Sequence, residues 1–259
     1  MMGLTGLWHT AWRSSDMRRS LLFFCLFSAA VSLAAYDFPA RGGRIAAAFG
    51  SEEKGEFCTG IEIEAHNVFA SESGEVLYRS GDYVAIAHEN SILTIYSDLA
   101  VSESLSKDIH IEKGELLGSA KGGRFRFAVY DLEMERYINP LLMTEDIKES
   151  ELPKVSEIYY DADQGILSVQ LDARELLGLY KVQISAGGQV LSTLGFRTIR
   201  REGDLLLLDS EGFRCGTLYG RQGAFSFPGI HLDPGYNNID VIVTDFYGKK
   251  VEFHGRITV

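Results

Sequence analysis

The chain has 259 residues and a formal net charge of −11, with 46% hydrophobic and 24% charged residues. This composition is that of a globular protein, and the length allows one large domain or two of ordinary size. The acidic balance argues against nucleic acid and anionic membrane surfaces as partners, because both repel a negatively charged protein.

The N-terminal segment has the pattern of a secretory signal peptide. A pair of arginines precedes an apolar run over residues 21–31, and the small residues Ser32 and Ala34 occupy the −3 and −1 positions of a cleavage site. Met17 is the more typical start for such a segment. The run is too short to cross a bilayer comfortably, so we expect residues 1–34 to be removed, leaving no stable transmembrane span. An uncleaved anchor is the alternative.

Two cysteines, Cys58 and Cys215, follow this segment. An exported compartment permits a disulfide bond, but the spacing of the two residues neither supports nor excludes one. We expect them to lie in different domains, and their redox state stays open.

The first half of the chain reads as short strands separated by turns. The segment "GIEIEA" alternates between apolar and polar residues, "SGEVLYRSGDYVAIAHENSILTIYSDL" contains three alternating runs, and "GRFRFAVYD" is a further strand. Few stretches have helical periodicity. We therefore predict an antiparallel β domain over residues 36–143.

The second half has a different spacing. A polar, charged segment with one proline, residues 144–155, predicts a linker. Beyond it, seven or eight short strands recur at intervals of roughly 8–15 residues, which is typical of an immunoglobulin-like Greek-key sandwich. The predicted fold class is therefore all-β: an antiparallel domain, then an immunoglobulin-like β-sandwich over residues 156–259, with no sheet continuing through the linker.

Common catalytic motifs are missing from the sequence. It contains no H-E-x-x-H, G-x-S-x-G, Walker or G-x-G-x-x-G motif, and no two histidines have metal-ligand spacing. The segment "DADQG" at 161–165 fits a plain turn better than a calcium loop.

The order of short motifs in the first half resembles the lysostaphin/LytM-type zinc metallopeptidase domain. The segments "AFG", "TGIEIEA", "SGEVLYRSGDYVAIAHENSILTIYSDL", "IEKGELLGSAKGGRFRFAVY" and "INP" follow one another here. The family has, in the same order, an H-T-G-x-D segment, a G-x-V strand, a Y-x-H-L segment, a K-G-x-x-x-G turn, an H-x-H strand and a closing N-P. The resemblance covers residues 44–142 and does not extend to the second half.

The resemblance implies a site in which two histidines and an aspartate bind zinc and two further histidines assist catalysis. In this chain the ligand positions are occupied by Cys58, Glu62 and Arg126, and the assisting positions by Asp98 and Arg124. All five depart from the family pattern. Because arginine stays protonated and has no lone pair to donate, we expect no metal, no cofactor and no zinc catalysis.

The two arginines raise the question of what replaces the metal. A partly buried guanidinium needs carboxylate partners, so we predict that Glu62 pairs with Arg126 where zinc would lie, and that Asp98 is a second partner of Arg124 or Arg126. The alternative is that both arginines point into solvent without partners.

The resemblance implies a non-enzymatic, exported protein of the periplasm or cell envelope of a bacterium. Such a protein would bind peptidoglycan or a cell-wall hydrolase through the metal-free groove, as a regulator or scaffold of envelope remodelling. One alternative is an active cell-wall metalloendopeptidase with an atypical Cys58/Glu62 metal site. The other is a structural envelope protein whose two domains are adhesion modules.

Overall fold

Alternation of apolar and polar residues places most of the chain in antiparallel strands. The computed structural model describes five stretches: residues 36–144, 154–172, 179–209, 211–220 and 224–259. The predicted signal peptide and most of the predicted linker lie outside the described residues. Among the described residues no helix is long and apolar enough to cross a membrane. The prediction of an all-β fold class is confirmed.

The first half contains short strands and three single-turn 3₁₀ helices within the described residues. The helices are Glu89–Ser91, Lys121–Gly123 and Pro140–Leu142. The strands are β1 (Arg44–Ala47), β2 (Glu52–Glu53), β3 (Glu56–Phe57), β4 (Ile61–Glu64), β5 (Asn67–Phe69), β6 (Gly74–Arg79), β7 (Tyr83–Ala87), β8 (Ile92–Ser97), β9 (Leu99–Val101), β10 (His110–Ile111), β11 (Leu116–Ala120), β12 (Arg124–Asp131) and β13 (Arg136–Ile138).

Where the structure describes it, the second half adds longer strands and one turn of α-helix, α1 (Cys215–Leu218). The strands are β14 (Lys154–Asp161), β15 (Ile166–Asp172), β16 (Leu179–Ala186), β17 (Gln189–Gly195), β18 (Thr198–Glu202), β19 (Leu205–Leu208), β20 (Phe213–Arg214), β21 (Phe225–Pro228), β22 (Tyr236–Asp245) and β23 (Lys250–Thr258).

The largest sheet is built around β12. Its strands follow the order β10-β6-β7-β8-β12-β13-β18-β19-β20, and β4 pairs with β12 while β1 pairs with β4. Every strand pairing in this sheet is antiparallel. On β12, Phe125, Phe127 and Val129 are buried on one face, and Arg124 and Arg126 alternate with them. The alternation of "RFRFAVY" therefore predicts the two faces correctly.

This sheet continues from the first half into the second. β13 pairs with β18, with Tyr137 opposite Ile199, and β18 in turn pairs with β19. The expectation that no sheet would be shared by the two halves is therefore wrong. β12 pairs with one side of β13, and the backbone groups on its other side need hydrogen-bond partners, which β18 provides. Ile199 of β18 is completely buried. The position of the domain boundary stays a prediction.

The described residues of the second half form two further sheets. One has the order β14-β15-β21 and the other the order β17-β16-β22-β23, again with antiparallel pairing. Leu167 and Val169 on β15, Val182 on β16 and Val241 on β22 are fully buried and belong to one apolar cluster. Both sheets thus contribute alternate residues to a common core.

Candidate functional site

Three neighbouring strands place most of the predicted site residues on one surface. In the pairing of β12 with β4, Arg124 is opposite Glu64 and Arg126 is opposite Glu62. On the other side of β12, Ser97 of β8 is opposite Arg126. Residues opposite each other in a sheet point to the same side, so these five side chains share the face turned away from the phenylalanines of β12. We call this surface the open face.

A chain of ion pairs crosses one end of the open face. The Arg124 guanidinium donates to Glu62 Oε1 at 3.0 Å and to Glu64 Oε1 at 2.5 Å, and Arg44 Nη2 donates to Glu64 Oε2 at 2.7 Å. The hydrogen bonds from Arg44 and Arg124 hold the pKa of the Glu64 carboxyl below its usual value. Because the Arg44 and Arg124 side chains are 75% and 56% exposed, the pairs fix side-chain positions more than they stabilise the fold.

Arg126 pairs with a residue from a different element. Its Nη2 donates to Glu53 Oε2 at 2.6 Å, and Glu53 belongs to the β2–β3 hairpin. The predicted Glu62–Arg126 pair is therefore wrong, although the two residues are opposite each other in register. Arg124 reaches diagonally to Glu62 and engages it, while the hairpin brings Glu53 to Arg126.

Asp98 does not enter this network. It is exposed, has a positive φ of 64°, and lies one residue beyond the last residue of β8. Among the described residues it makes no ion pair with Arg124 or Arg126, so its predicted role as a second partner is also wrong. The alternative of unpaired arginines is equally wrong, since both have carboxylate partners.

Cys58 lies beneath this network rather than on its surface. Its side chain is buried, and its Sγ–H donates to the carbonyl oxygen of Gly60 at 3.3 Å. Burial raises the pKa of the Cys58 thiol, although the nearby Arg126 charge acts in the opposite direction. A Cβ at Gly60 would lie 2.3 Å from the Phe127 carbonyl oxygen, so only glycine allows the segment to pass so close to β12. Cys58 and Cys215 are both free thiols.

The residues at the family's ligand positions do not fit a zinc ion. Cys58 is a buried thiol whose protonated form is favoured, the Glu62 carboxylate binds Arg124, and Arg126 places a permanent cation at the third position. Within the stretches that the structure describes, no group of three histidine, cysteine, aspartate or glutamate residues could hold a metal ion.

His88, the histidine of the β7–β8 connection, has a structural role. Its Nδ1 lies 2.8 Å from the Ser73 carbonyl oxygen and its Nε2 lies 2.7 Å from Thr94 Oγ1. Burial lowers the pKa of the imidazole below its usual value, so the neutral ring is favoured at neutral pH. Both ring nitrogens are engaged by the protein itself.

Sequence reasoning missed three residues of the ion-pair network: Arg44, Glu53 and Glu64. Glu64 follows Glu62 by two positions in "GIEIEA", so the strand alternation was a signal that it shares the same face. Arg44 required the pairing of β1 with β4, and Glu53 required the position of a hairpin. Neither of these is encoded in a local pattern.

The revised pairing makes a direct prediction for double-mutant cycles. A cycle on Glu53→Gln and Arg126→Met should give a coupling of about 0.2–1 kcal/mol, as expected for a partly exposed ion pair. A cycle on Glu62→Gln and Arg126→Met should give a coupling near zero, because Glu62 binds Arg124 instead. Chemical denaturation measures both. A larger coupling for Glu62 than for Glu53 would contradict this pairing.

Comparisons with known proteins give matches to parts of the chain. A protein-family model matches residues 154–259, less than half of the chain. No curated protein matches the chain in sequence. The SpoIIQ–SpoIIIAH pore-forming complex is similar at 16% identity and a TM-score of 0.38, over 44% of this chain and 93% of that one.

Two further solved structures are similar over a comparable share of this chain. Csd3 of Helicobacter pylori is 23% identical with a TM-score of 0.38, over 45% of this chain and 35% of that one. The catalytic domain of the M23 protein EnpA from Enterococcus faecalis is 15% identical with a TM-score of 0.34, over 41% of this chain and 95% of that one. These neighbours have LytM/M23-type folds, and the likeness extends to the fold alone.

Proposed function

We propose that the chain is a LytM-like protein without a catalytic metal, which binds peptidoglycan or a cell-wall hydrolase through its open face. In this proposal it is exported to the periplasm or cell envelope and acts there as a regulator or scaffold of envelope remodelling. The observation that carries the proposal is Arg126, which occupies the third ligand position of the resembled family and is paired with Glu53.

The chemistry of the open face favours binding over peptide hydrolysis. A metallopeptidase site needs three lone-pair donors and an open coordination position that can acidify water. Arg126 supplies a fixed positive charge instead, and the carboxylate of Glu62 is already engaged by Arg124. What remains on the surface is a set of oriented hydrogen-bond donors and acceptors, which can recognise a ligand but cannot activate water as zinc does.

The second half fits a role as an interaction or spacer module. We propose that residues 156–259 form an immunoglobulin-like sandwich after a first domain over 36–143 and a linker over 144–155. The strand orders β14-β15-β21 and β17-β16-β22-β23 support this, because two antiparallel sheets sharing one core are the architecture of that class. The inserted strands β18 to β20 join the sheet of the first half instead.

Metal analysis together with peptidoglycan sedimentation tests this function. Protein purified without chelator should contain well under one zinc per chain, because Arg126 repels the ion. It should sediment with isolated peptidoglycan or bind a purified cell-wall hydrolase, and it should leave cross-linked peptidoglycan uncleaved. Stoichiometric zinc that is lost on Cys58→Ala, accompanied by cleavage, would instead establish the atypical metallopeptidase.

A further inference from the structure

The open face continues past the ion pairs as a surface lined by tyrosines. Tyr83 of β7 is opposite Ser97, which is opposite Arg126, so Tyr83 lies on the same side of the sheet as the arginines. Tyr130 follows Arg126 by four positions on β12 and is opposite Tyr137 of β13. Register alone therefore places tyrosines from three strands on the open face.

Ring contacts group these tyrosines into two pairs. The Tyr78 and Tyr83 ring centroids are 5.6 Å apart, and those of Tyr130 and Tyr137 are 4.9 Å apart, both with edge-to-face geometry. The Tyr78 ring is 54% exposed, and the other three are partly exposed. Burial raises the pKa of Tyr83, and the phenols of Tyr137 and Tyr78 act in the same direction.

Small and apolar residues form the floor between the pairs. Ala85 of β7 is opposite Ile95 of β8, and Ile95 is opposite Ala128 of β12. Ala85 and Ala128 are each only 5% exposed, so the larger side chains around them stand above this row. The tyrosine side chains, and not this covered row, are therefore what the face presents to a ligand.

The phenolic hydroxyls on this face are available to a ligand. Among the described residues, the hydroxyls of Tyr78, Tyr83, Tyr130 and Tyr137 form no hydrogen bond. Three other tyrosines have hydroxyls that bond to protein atoms: Tyr96 to Ser71, Tyr160 to Ile230 and Tyr219 to Gly50. The open face therefore presents four tyrosine hydroxyls that are not used by the described residues, each able to donate and to accept.

The charges on the same face as the tyrosines compensate one another. The network contains three guanidinium groups and three carboxylates: Arg44, Arg124, Arg126, Glu53, Glu62 and Glu64. A ligand with a net charge would need an opposite charge that is not already paired, and the three guanidinium groups of the network are balanced by its three carboxylates. An uncharged ligand with many hydroxyl groups suits it, because paired arginines and glutamates still present both donors and acceptors.

We propose that the open face binds a chain of neutral sugars, with pyranose rings stacked on the two tyrosine pairs and hydroxyls bonded to the phenols and the ion-pair network. This inference rests on the proposed function and deepens it, since it assigns the ligand to the class of neutral polysaccharides. A pyranose has an apolar C–H face that fits an aromatic ring and a rim of hydroxyls that fits phenols.

An extended peptide suits this surface less well. Its backbone amides and carbonyls need partners at each residue, and the strands that carry the tyrosines already use their own backbone groups in the sheet. A neutral proline-rich peptide, which has fewer amides and favours aromatic-lined grooves, is therefore the sharpest competitor and serves as the comparison ligand.

Isothermal titration calorimetry with an oligosaccharide of β-1,4-linked N-acetylglucosamine tests the site. The wild-type chain should bind it saturably, and Tyr83→Ala and Tyr137→Ala should each weaken the affinity roughly tenfold or more. The matched control Tyr247→Ala, which removes a 62% exposed tyrosine elsewhere on the chain, should change it less than about twofold. Tyr83→Phe should give a smaller loss than Tyr83→Ala, since the ring is retained.

Three outcomes would overturn the proposal: no binding by the wild-type chain, equal losses in Tyr83→Ala and Tyr247→Ala, or binding of the proline-rich peptide without binding of the sugar. Sedimentation with isolated peptidoglycan shows whether the saccharide site or the proposed function is wrong. If wild type and the tyrosine variants sediment equally and the sugar is not bound, only the saccharide site is wrong. If the sugar binds through the tyrosines while neither peptidoglycan nor a hydrolase is bound, only the proposed function is wrong.

Discussion

Replacing Phe127 with alanine should lower the free energy of unfolding by about 3–5 kcal/mol, the usual range for removing a fully buried aromatic ring. Phe127 is 0% exposed, lies at the middle of β12 and is opposite Tyr96 on β8 and Ile61 on β4. Its ring centroid is 5.2 Å from that of Tyr96. The substitution therefore leaves a cavity where three strands meet, directly beneath the open face.

The Phe127→Ala substitution should also disturb the open face, because both faces belong to the backbone of β12. Arg126 and Ala128 flank Phe127 on the opposite face, so a shift of β12 into the cavity would move the open face as well. Chemical denaturation of Phe127→Ala measures the loss. Leu132→Ala provides the control, because Leu132 is 47% exposed in the turn that follows β12 and its loss should cost less than about 0.5 kcal/mol. Equal effects of the two substitutions would show that β12 is not the centre of the core.

The parts of this site that follow from local patterns in the sequence could be predicted, whereas contacts between distant elements could not. The alternation in "GGRFRFAVY" places Arg124 and Arg126 on one face, because side-chain direction in a strand is fixed by a two-residue period. The resemblance to LytM-type domains brings Glu62 beside them, and β4 does pair with β12. These inferences need only local periodicity and the order of motifs.

The partners of the arginines could not be predicted in the same way. Glu62 is opposite Arg126, yet a long guanidinium reaches diagonal neighbours as easily, and Arg124 engages it. Glu53 reaches Arg126 only because the β2–β3 hairpin has a particular position above the sheet. The pairing of β13 with β18 is similar, since nothing in either strand specifies a partner some sixty residues distant.

Replacing Tyr219 with alanine should both destabilise the chain and loosen the site. Tyr219 directly follows α1, and its ring contacts Phe57 at a centroid distance of 6.2 Å and Phe225 at 5.5 Å. Its hydroxyl donates to the Gly50 carbonyl oxygen at 2.7 Å. Loss of this half-buried ring should cost about 2–3 kcal/mol, less than the loss of the fully buried Phe127 ring.

The effect on the site follows from where these contacts lie along the chain. Gly50 precedes β2 and Phe57 ends β3, so one tyrosine from the second half holds both ends of the hairpin that carries Glu53. Without it, the hairpin should open locally, and the Glu53–Arg126 pair should weaken with it. The second half would then support the open face as well as serve as a separate module.

The thiol of Cys58 reports this opening, because it follows Phe57 and is only 3% exposed in the intact fold. Its alkylation, followed by mass spectrometry of the peptide that contains it, should be faster in Tyr219→Ala by roughly tenfold for each ~1.4 kcal/mol of local stability lost. Tyr219→Phe keeps the ring and removes one hydrogen bond, so it should cost only about 0.5–1.5 kcal/mol and change the rate less. The exposed Tyr159→Ala should leave both stability and rate unchanged. If Cys58 reacts at the same rate in Tyr219→Ala as in the wild type, the hairpin is held by other contacts, and the second half does not support the site.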